Sequence, residues 1–264
     1  MHKLLAVLLF FGAVFSGISC SKKSDDRSRP LVVGMELNFP PFEMKDPSGK
    51  PTGISVEMAE ALGKFVQREI RIEDMPFDAL IPSLKTGKID LAISSMTITV
   101  ERGKSIDFSE PYLNTGISIL AGAATGIRNV SDLDQPGRKV AVKKGTTGHI
   151  YATDHFKQAQ ILTFDSSSGA VVEVIQGKAD AFIYDEMSVF KYYRQNPKTT
   201  HAILQPFQKE GWGIGVRKGN DELRQEVNAF LADFKAKNGF NVLGDKYLGE
   251  EKKAFQEMGF PFYF

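Results

Sequence analysis

The sequence predicts an α/β fold made of two similar lobes. From Leu31 onwards, short apolar segments typical of strands alternate with amphipathic segments typical of helices. A helix–glycine–strand pattern also occurs twice, as Leu84–Asp90 before a strand ending at Ser95 and as Val174–Asp180 before one ending at Asp185. Strands connected through helices form a parallel sheet with helices on its faces. Helix–glycine–strand is also a common turn, so the repeat alone leaves the number of lobes open.

The first half of the chain predicts three strands and two helices. The first helix carries Met58, Leu62, Phe65 and Val66 on one apolar stripe at helical spacing. Gly87 ends the second helix, because glycine favours the left-handed conformation of a helix C-terminus. The predicted strands are Leu31–Glu36, Ile70–Met75 and Ile89–Ser94, and the predicted helices are Ser55–Ile70 and Asp78–Thr86.

The second half continues the same alternation. The predicted strands are Ile117–Leu120, Lys139–Val142, Ile161–Phe164, Ala181–Tyr184 and Trp212–Val216. The predicted helices are Thr147–Ala159, Gly169–Gln176 and Asn220 to about Lys237. Both repeats place a polar side chain at the C-terminal end of a strand, where open α/β sheets bind ligands. A cleft between the two lobes is therefore the expected binding site.

The N-terminus predicts an export signal. His2 and Lys3 precede an apolar run, Leu4–Phe15, which has the length of a signal core and is too short to span a bilayer. Ser16–Cys20 resembles a bacterial lipoprotein cleavage site, although Gly17 stands where leucine is usual. We expect residues 1–19 to be the signal, Cys20 to be lipidated and residues 20–29 to form a polar tether. An ordinary secretory signal with an incidental cysteine is the alternative.

Composition excludes several classes of protein. The formal net charge is +1, whereas a nucleic-acid-binding protein usually has an excess of basic residues. The single cysteine excludes a disulfide and a cysteine-based metal site within the fold. His149, Asp154 and His155 have spacing that does not place them all on one face of a helix, so no metal site is predicted. No cofactor is implied.

A cluster of hydroxyl groups surrounds one arginine just after the predicted third strand. The segment Ser94–Tyr112 contains Arg102, whose planar guanidinium can hold a carboxylate through two parallel hydrogen bonds. This pattern predicts a site for a small molecule that carries a carboxylate. The alternative is a surface arginine that pairs with Glu101 or Asp107.

With these residues, the chain resembles the extracellular solute-binding proteins, family 3, of polar amino-acid importers. The resemblance covers nearly everything from Leu31 to Gly249, and the order and spacing of the motifs carry it. The motifs are Leu37–Glu43, Asp46–Gly53, Phe77–Leu84, Gly87–Asp90, Met96–Tyr112, Gly145–Gly148, Gly177–Asp185 and Gly213–Gly219.

The resemblance implies two Rossmann-like lobes joined by two hinge strands, the type II periplasmic-binding-protein or Venus-flytrap fold. Lobe 1 would comprise residues 30–112 and 213–264, and lobe 2 residues 117–208. The hinges would lie near 113–116 and 209–212. Such lobes close over their ligand. The aromatic residues at 255, 260, 262 and 263, with Met258, predict a C-terminal tail docked on lobe 1, and a partner-binding tail is the alternative.

The resemblance also gives each end of an amino acid a partner. Arg102 matches the residue that holds the α-carboxylate, and Asp185 the one that receives the α-ammonium. Thr97 and Thr147 match positions that add hydrogen-bond donors, and Thr146 beside them is a further candidate for the site. The alternative is that the threonines at 146 and 147, and Asp185, only cap helices.

Side-chain specificity follows from a second group of matched positions. Phe39 and Phe77 match aromatic residues that flank the ligand, or else they are ordinary core residues. Glu36, with Ser94 and Ser95, resembles binders of lysine, arginine and histidine. Lys143 opposes this interpretation, because its ammonium group would repel a cationic ligand. In some relatives the matching residue contacts an amide side chain of the ligand. A basic amino acid is expected, with glutamine or another polar neutral amino acid, and then an acidic one, as alternatives.

The implied function is a non-enzymatic receptor outside the cytoplasmic membrane, in the periplasm or an equivalent space. It would bind a free L-amino acid, serve the membrane subunits of an ABC importer, and act as a lipid-anchored monomer. A periplasmic prephenate or arogenate dehydratase shares this fold, but such a site typically replaces the aspartate that is present here as Asp185. A sensory subunit that presents its closed form to a signalling partner is a third hypothesis.

Overall fold

A computed structural model describes residues 29–259 of the chain. Within this part of the chain the strands are β1 (Leu31–Met35), β2 (Met44–Lys45), β3 (Pro51–Thr52), β4 (Ile70–Asp74), β5 (Leu91–Ala92), β6 (Ile106–Phe108), β7 (Leu113–Gly122), β8 (Lys139–Lys143), β9 (Gln160–Phe164), β10 (Ala181–Asp185), β11 (Thr200–Trp212) and β12 (Gly215–Arg217). The helices are α1 (Ile54–Val66), α2 (Leu80–Thr86), α3 (Val100–Ser105), α4 (Thr147–His155), α5 (Ser167–Ile175), α6 (Glu186–Gln195), α7 (Asp221–Ala236) and α8 (Gly239–Glu257).

The strands form two five-stranded sheets and a small hairpin, which confirms the α/β fold with two sheets. The first sheet has the order β4-β1-β5-β12-β6, and the second has the order β11-β7-β10-β8-β9. β1 runs parallel to β4 and β5, and β8 runs parallel to β9 and β10. The strand–helix–strand segments therefore produce parallel pairs, as the sequence predicted.

Neither sheet is wholly parallel, which the sequence pattern did not predict. β7 and β12 pair antiparallel with their neighbours. Each enters its sheet directly from the other sheet, without a helix that would return the chain to the starting edge. Parallel pairing requires such a crossover, so these two strands run in the opposite direction.

The prediction of one strand at Trp212–Val216 is wrong. β11 ends at Trp212 in the second sheet, and β12 begins at Gly215 in the first. Between them, the Gly213 N–H donates to the carbonyl of Met96 at 3.0 Å. The predicted strand is thus divided between two sheets, because Trp212 is buried in the second sheet and Val216 in the first.

The helix–glycine–strand repeat has a physical basis in both sheets. Asp90 accepts a hydrogen bond from Val32 N–H at 2.9 Å and holds the Arg29 guanidinium through two contacts of 2.7 Å. At the matching position of the second repeat, Asp180 accepts from Lys139 N–H at 2.7 Å and from Arg138 at 3.0 Å. Each aspartate thereby ties its strand to the start of the neighbouring parallel strand.

Local capping corrects several predicted helix boundaries. α1 ends at Val66 rather than Ile70, because Gln67 adopts a left-handed conformation with φ 54°. α5 begins at Ser167 rather than Gly169, since the Ser166 hydroxyl accepts a hydrogen bond from the Gly169 N–H. Such a cap satisfies one of the free N–H groups of the first helical turn. The long predicted helix after Thr147 ends at His155.

The C-terminal helix contacts both halves of the molecule. α8 packs near α1 and α7, and Leu248 has non-helical backbone angles within it. Beyond this kink, the fully buried Phe255 packs edge-on against Phe190 of α6, with ring centroids 5.0 Å apart. The tail therefore does not dock on the first sheet's layer alone, while Met258 is 43% exposed. The aromatic residues after position 259 lie outside the described residues.

The predictions for the N-terminus, including lipidation at Cys20, lie outside the described part of the chain. Among residues 29–259, no helix combines the length and apolar character needed to cross a membrane.

Candidate functional site

A cavity of about 40 Å³ lies between the two sheets. Ten of the eleven residues that the sequence predicted for the site line it: Glu36, Phe39, Phe77, Ser94, Ser95, Thr97, Arg102, Thr146, Thr147 and Asp185. The eleventh, Lys143, contacts Glu36 at the edge of the cavity. The fold therefore brings the predicted residues of both repeats into one place.

Arg102 lies in α3 and is a nearly buried cation. Its guanidinium donates to the carbonyl of Thr97 at 2.6 Å and, across the cleft, to the carbonyl of Gly145 at 3.0 Å. Burial lowers the pKa of Arg102 to about 10, so the side chain stays charged at neutral pH. Glu101 and Asp107 pair with Lys104 and Lys218 instead. The surface-pair alternative for Arg102 is thus wrong.

Asp185 lines the cavity, and its two carboxylate oxygens have different surroundings. Its Oδ1 accepts from Ser188 N–H at 2.9 Å and caps helix α6. Its Oδ2 is buried and has no hydrogen-bond partner among the described residues. Burial raises the pKa of Asp185 to about 6, with a contribution from the charge of Glu210. The helix cap therefore uses only one of the two carboxylate oxygens of Asp185.

Glu36 and Lys143 form an ion pair across the cleft. Glu36 follows β1 of the first sheet, and Lys143 ends β8 of the second. The Lys143 side chain is 3% exposed and that of Glu36 is 12% exposed. Opposite charges at this depth neutralise each other with little screening by solvent. The acidic group that the sequence assigned to a cationic ligand side chain is thus already compensated.

Two cations face the ring of Phe77. The Arg102 guanidinium carbon lies 5.4 Å from the ring centroid, and the Lys143 ammonium nitrogen lies 5.7 Å from it. These distances are within the range of cation–π attraction. Phe39 packs instead with other aromatic rings, Phe42, Tyr184 and Trp212, at centroid distances of 5.5 to 5.9 Å. It belongs to the core and lines the cavity at the same time.

Helix α4 begins at the wall of the cavity. The Thr146 hydroxyl caps it by accepting from His149 N–H and donates to the carbonyl of Lys143 at 2.7 Å. Gly148 lies in its first turn, where a Cβ atom would come within 2.8 Å of the carbonyl of Ile183. A glycine lets the helix approach β10 closely. Thr147 and Gly148 in the first turn of α4 line the cavity, and the free N–H groups of a helix N-terminus favour an anion.

The serine pair is held by carboxyl and backbone groups. Ser94 Oγ accepts from the Glu36 N–H at 3.0 Å. Ser95 has a left-handed backbone with φ 50°, and its hydroxyl contacts the buried carboxyl of Glu43 at 2.9 Å. Glu43 is wholly buried behind the cavity and also contacts the Ser55 hydroxyl at 2.7 Å.

Sequence reasoning missed five residues that line the cavity: Ile117, Gly148, Tyr184, Glu210 and Trp212. Glu210 accepts from the Thr97 hydroxyl at 2.8 Å and from Gln208 at 3.0 Å. Its position within a predicted hinge strand was the only available signal. Glu43 was part of a quoted motif, but its place behind Ser95 depends on a contact between distant parts of the chain.

The two sheets, the crossing strands and a cavity between them agree with the fold expected from the motifs. The sequence model of the bacterial extracellular solute-binding proteins, family 3, matches residues 31–250. The chain belongs to this family. The match ends within α8, so the kinked end that carries Phe255 lies beyond the family's common part.

Individual members of the family are similar over most of the chain. ABC transporter arginine-binding protein 1 of Escherichia coli K12 is 30% identical over 94% of this chain and 99% of its own length. The L-cystine-binding protein TcyJ of the same strain is 30% identical, over 84% of this chain and 83% of its own. Among solved structures, an ancestral arginine-binding protein bound to glutamine has a TM-score of 0.77 and 36% identity, covering 83% of this chain and 98% of that protein.

Proposed function

We propose that this chain captures one free amino acid between its two sheets and delivers it to an ABC importer. One observation carries this proposal: a buried guanidinium and a buried carboxylate oxygen, neither of them in an ion pair among the described residues, belong to residues that line the same cavity. These are Arg102 and Asp185 Oδ2. An amino acid has one carboxylate and one ammonium group, so it supplies a partner to each charge.

Capture requires the two halves to separate and close again. A cavity of about 40 Å³ is far below the roughly 300 Å³ that small-ligand sites reach. Polar contacts of Arg102 with Gly145, Lys144 with Asp78, and Lys143 with Glu36 join the two sides. We propose lobes at 30–112 with 213–264 and at 117–208, which open at hinges near 113–116 and 209–212. β7 and β11, which pair side by side there, are the natural pivot.

The Glu36–Lys143 pair favours a ligand whose side chain ends in an uncharged amide. A carboxamide can donate to Glu36 and accept from Lys143, and so satisfies both groups without adding a charge. A basic side chain would face Lys143 and would share the Phe77 ring with two cations already placed there. We therefore propose glutamine ahead of the basic amino acids that the sequence alone indicated. The relatives named as arginine- and cystine-binding proteins, and the ancestral arginine-binding protein bound to glutamine, support a family that accepts several side chains.

We further propose that the protein is not an enzyme, acts as a monomer outside the cytoplasmic membrane, and is anchored by a lipid on Cys20. Closure over a zwitterion held by Arg102 and Asp185 needs no proton transfer, and the family is one of solute-binding proteins. Mass spectrometry of the membrane fraction would test the lipid. The absence of an acylated N-terminal peptide beginning at Cys20 would contradict it.

The decisive experiment is a calorimetric titration of the purified protein with glutamine, arginine, lysine, cystine and prephenate. We expect glutamine to bind most tightly. The matched variant Lys143→Gln removes the repelling charge and leaves Glu36 uncompensated, so its preference should shift towards arginine and lysine. Tight arginine binding by the unaltered protein would contradict the ligand assignment but keep the amino-acid receptor. Binding of prephenate with turnover, and of no amino acid, would contradict the function itself.

A further inference from the structure

A buried carboxyl group lies directly behind the wall of the amino-acid cavity. Glu43 has no exposed surface and lies between two hydroxyl groups. Its Oε1 is 2.7 Å from the Ser55 hydroxyl and 2.9 Å from that of Ser95, while its Oε2 is 3.2 Å from Ser95 alone. No cation of the described residues is within ion-pair distance of it. The carboxyl group is thus surrounded by neutral partners.

Ser95 connects this carboxyl group to the cavity. Ser95 lines the cavity, and its hydroxyl contacts both oxygens of Glu43. Its backbone is held in a left-handed conformation that residues other than glycine rarely adopt. A serine hydroxyl has a single hydrogen to donate, while its oxygen can accept two bonds. The direction of that hydrogen therefore depends on the protonation state of Glu43.

The two protonation states give opposite directions. An ionised Glu43 can only accept, so the Ser95 hydrogen must point at it, and Ser95 presents only lone pairs to the cavity. A neutral Glu43 keeps Oε1 as the acceptor for Ser55, which leaves the proton on Oε2. That O–H donates to Ser95, whose own hydrogen is then released from Glu43 and can point into the cavity or to the buried phenol oxygen of Tyr112, so a ligand oxygen competes with that phenol for it.

The surroundings favour the neutral form at physiological pH. Burial raises the pKa of Glu43 to about 8, against the lowering effect of its two serine contacts. The charged and titratable groups nearby are Glu36, which raises the pKa further, Lys143, which lowers it, and the phenols Tyr112 and Tyr184. Burial also raises the pKa of Tyr112 and Tyr184, so both phenols stay neutral over the range in which Glu43 titrates.

We propose that Glu43 is a positioning residue that turns the Ser95 hydroxyl hydrogen into the cavity, where it is donated to an oxygen of the bound amino acid. This inference rests on the proposed amino-acid function and adds a role for a residue that does not touch the ligand. It makes affinity depend on pH through a group outside the cavity, because ionisation of Glu43 withdraws the donor and adds a buried negative charge behind it.

The experiment is a titration with glutamine, or with whichever amino acid binds most tightly, between pH 6.5 and 9. The single tryptophan, Trp212, lines the cavity and serves as a fluorescent reporter. Affinity of the unaltered protein should fall about tenfold over this range, as expected for the loss of one hydrogen bond to a charged group. In Glu43→Gln the amide keeps a donor towards Ser95 at every pH. The affinity of Glu43→Gln should be within about threefold of that of the unaltered protein at pH 6.5. Between pH 6.5 and 9, it should not show the decrease that ionisation of Glu43 causes in the unaltered protein.

Two further measurements separate the alternatives. The ligand's own ammonium titrates equally in both proteins, so parallel pH profiles for the unaltered protein and Glu43→Gln would overturn the proposal. Ser95→Ala should bind the ligand more weakly. In the Ser95→Ala background, the added substitution Glu43→Gln should leave the pH profile of binding unchanged. If Glu43→Gln changes that profile as much as it does in the unaltered protein, the role of Ser95 is overturned.

Without any ligand, infrared difference spectra against Glu43→Gln should show a protonated carboxyl band at pH 7. Its absence would overturn the proposal even if amino acids bind, whereas its presence without amino-acid binding would contradict only the proposed function.

Discussion

Replacement of Glu43 by glutamine should change how the stability of the protein depends on pH. Glu43 is the most deeply buried acid beside the cavity, and its pKa rises from 4.5 to about 8. Between these two values the folded state keeps a proton that the unfolded chain releases. The free energy of unfolding of the original protein therefore falls as pH rises through this window, and Glu43→Gln lacks that fall.

The size of the effect follows from the width of the window. A range from 4.5 to about 8 covers about 3.5 pH units, and each unit corresponds to about 1.4 kcal/mol. Ionisation of Glu43 therefore lowers the free energy of unfolding by at most about 5 kcal/mol across this range. The contribution of Asp185, whose pKa also rises, is present in both proteins and cancels in the comparison. The free energy of unfolding of Glu43→Gln, relative to that of the original protein, should therefore increase from pH 4.5 to pH 8.

Urea unfolding at pH 4.5, 6, 7 and 8, followed by the fluorescence of Trp212 and by circular dichroism, measures this difference. Glu60→Gln is the matched control, because Glu60 lies exposed on helix α1, and it should leave the pH profile unchanged. If the stability difference between Glu43→Gln and the original protein is constant from pH 4.5 to 8, the pKa of Glu43 is not raised in the folded state, and the reasoning is refuted.

Three further substitutions test the site and the fold. Arg102→Ala should weaken ligand binding by roughly 2–5 kcal/mol in a fluorescence titration, since it leaves the ligand carboxylate buried without a partner; affinity within a few-fold of the original would refute its role. Asp185→Asn keeps an oxygen for the Ser188 N–H, so it should unfold at a similar urea concentration yet bind at least about tenfold more weakly. Equal loss of stability and binding would mean that Asp185 is mainly a cap. Phe255→Ala should destabilise the protein by about 3–5 kcal/mol, because the ring is fully buried against Phe190; a loss below about 1 kcal/mol would show that the end of α8 is not docked.

Local sequence patterns predicted the elements that depend on local chemistry. Asp90 and Asp180 stand at matching places in the two repeats, and each fixes a strand start in its own sheet. The predicted starts and ends of β4, β8 and β10 differ from the observed ones by a single residue at most. By contrast, the antiparallel strands β7 and β12 and the break after Trp212 depend on which sheet the chain enters. Alternation of apolar and polar residues carries no information about that choice.

The site shows the same division. By itself, the sequence determined which residue types gather at the strand ends, among them Arg102 and Asp185, because motif order and spacing are properties of one chain segment at a time. Only the tertiary structure decided that Glu36 meets Lys143, 107 positions away, and that Ser95 meets Glu43, 52 positions away. The charge and hydrogen-bond state of a binding site depend on such pairs. They arise from the burial of two sheets against one cleft, so no local pattern could have specified them.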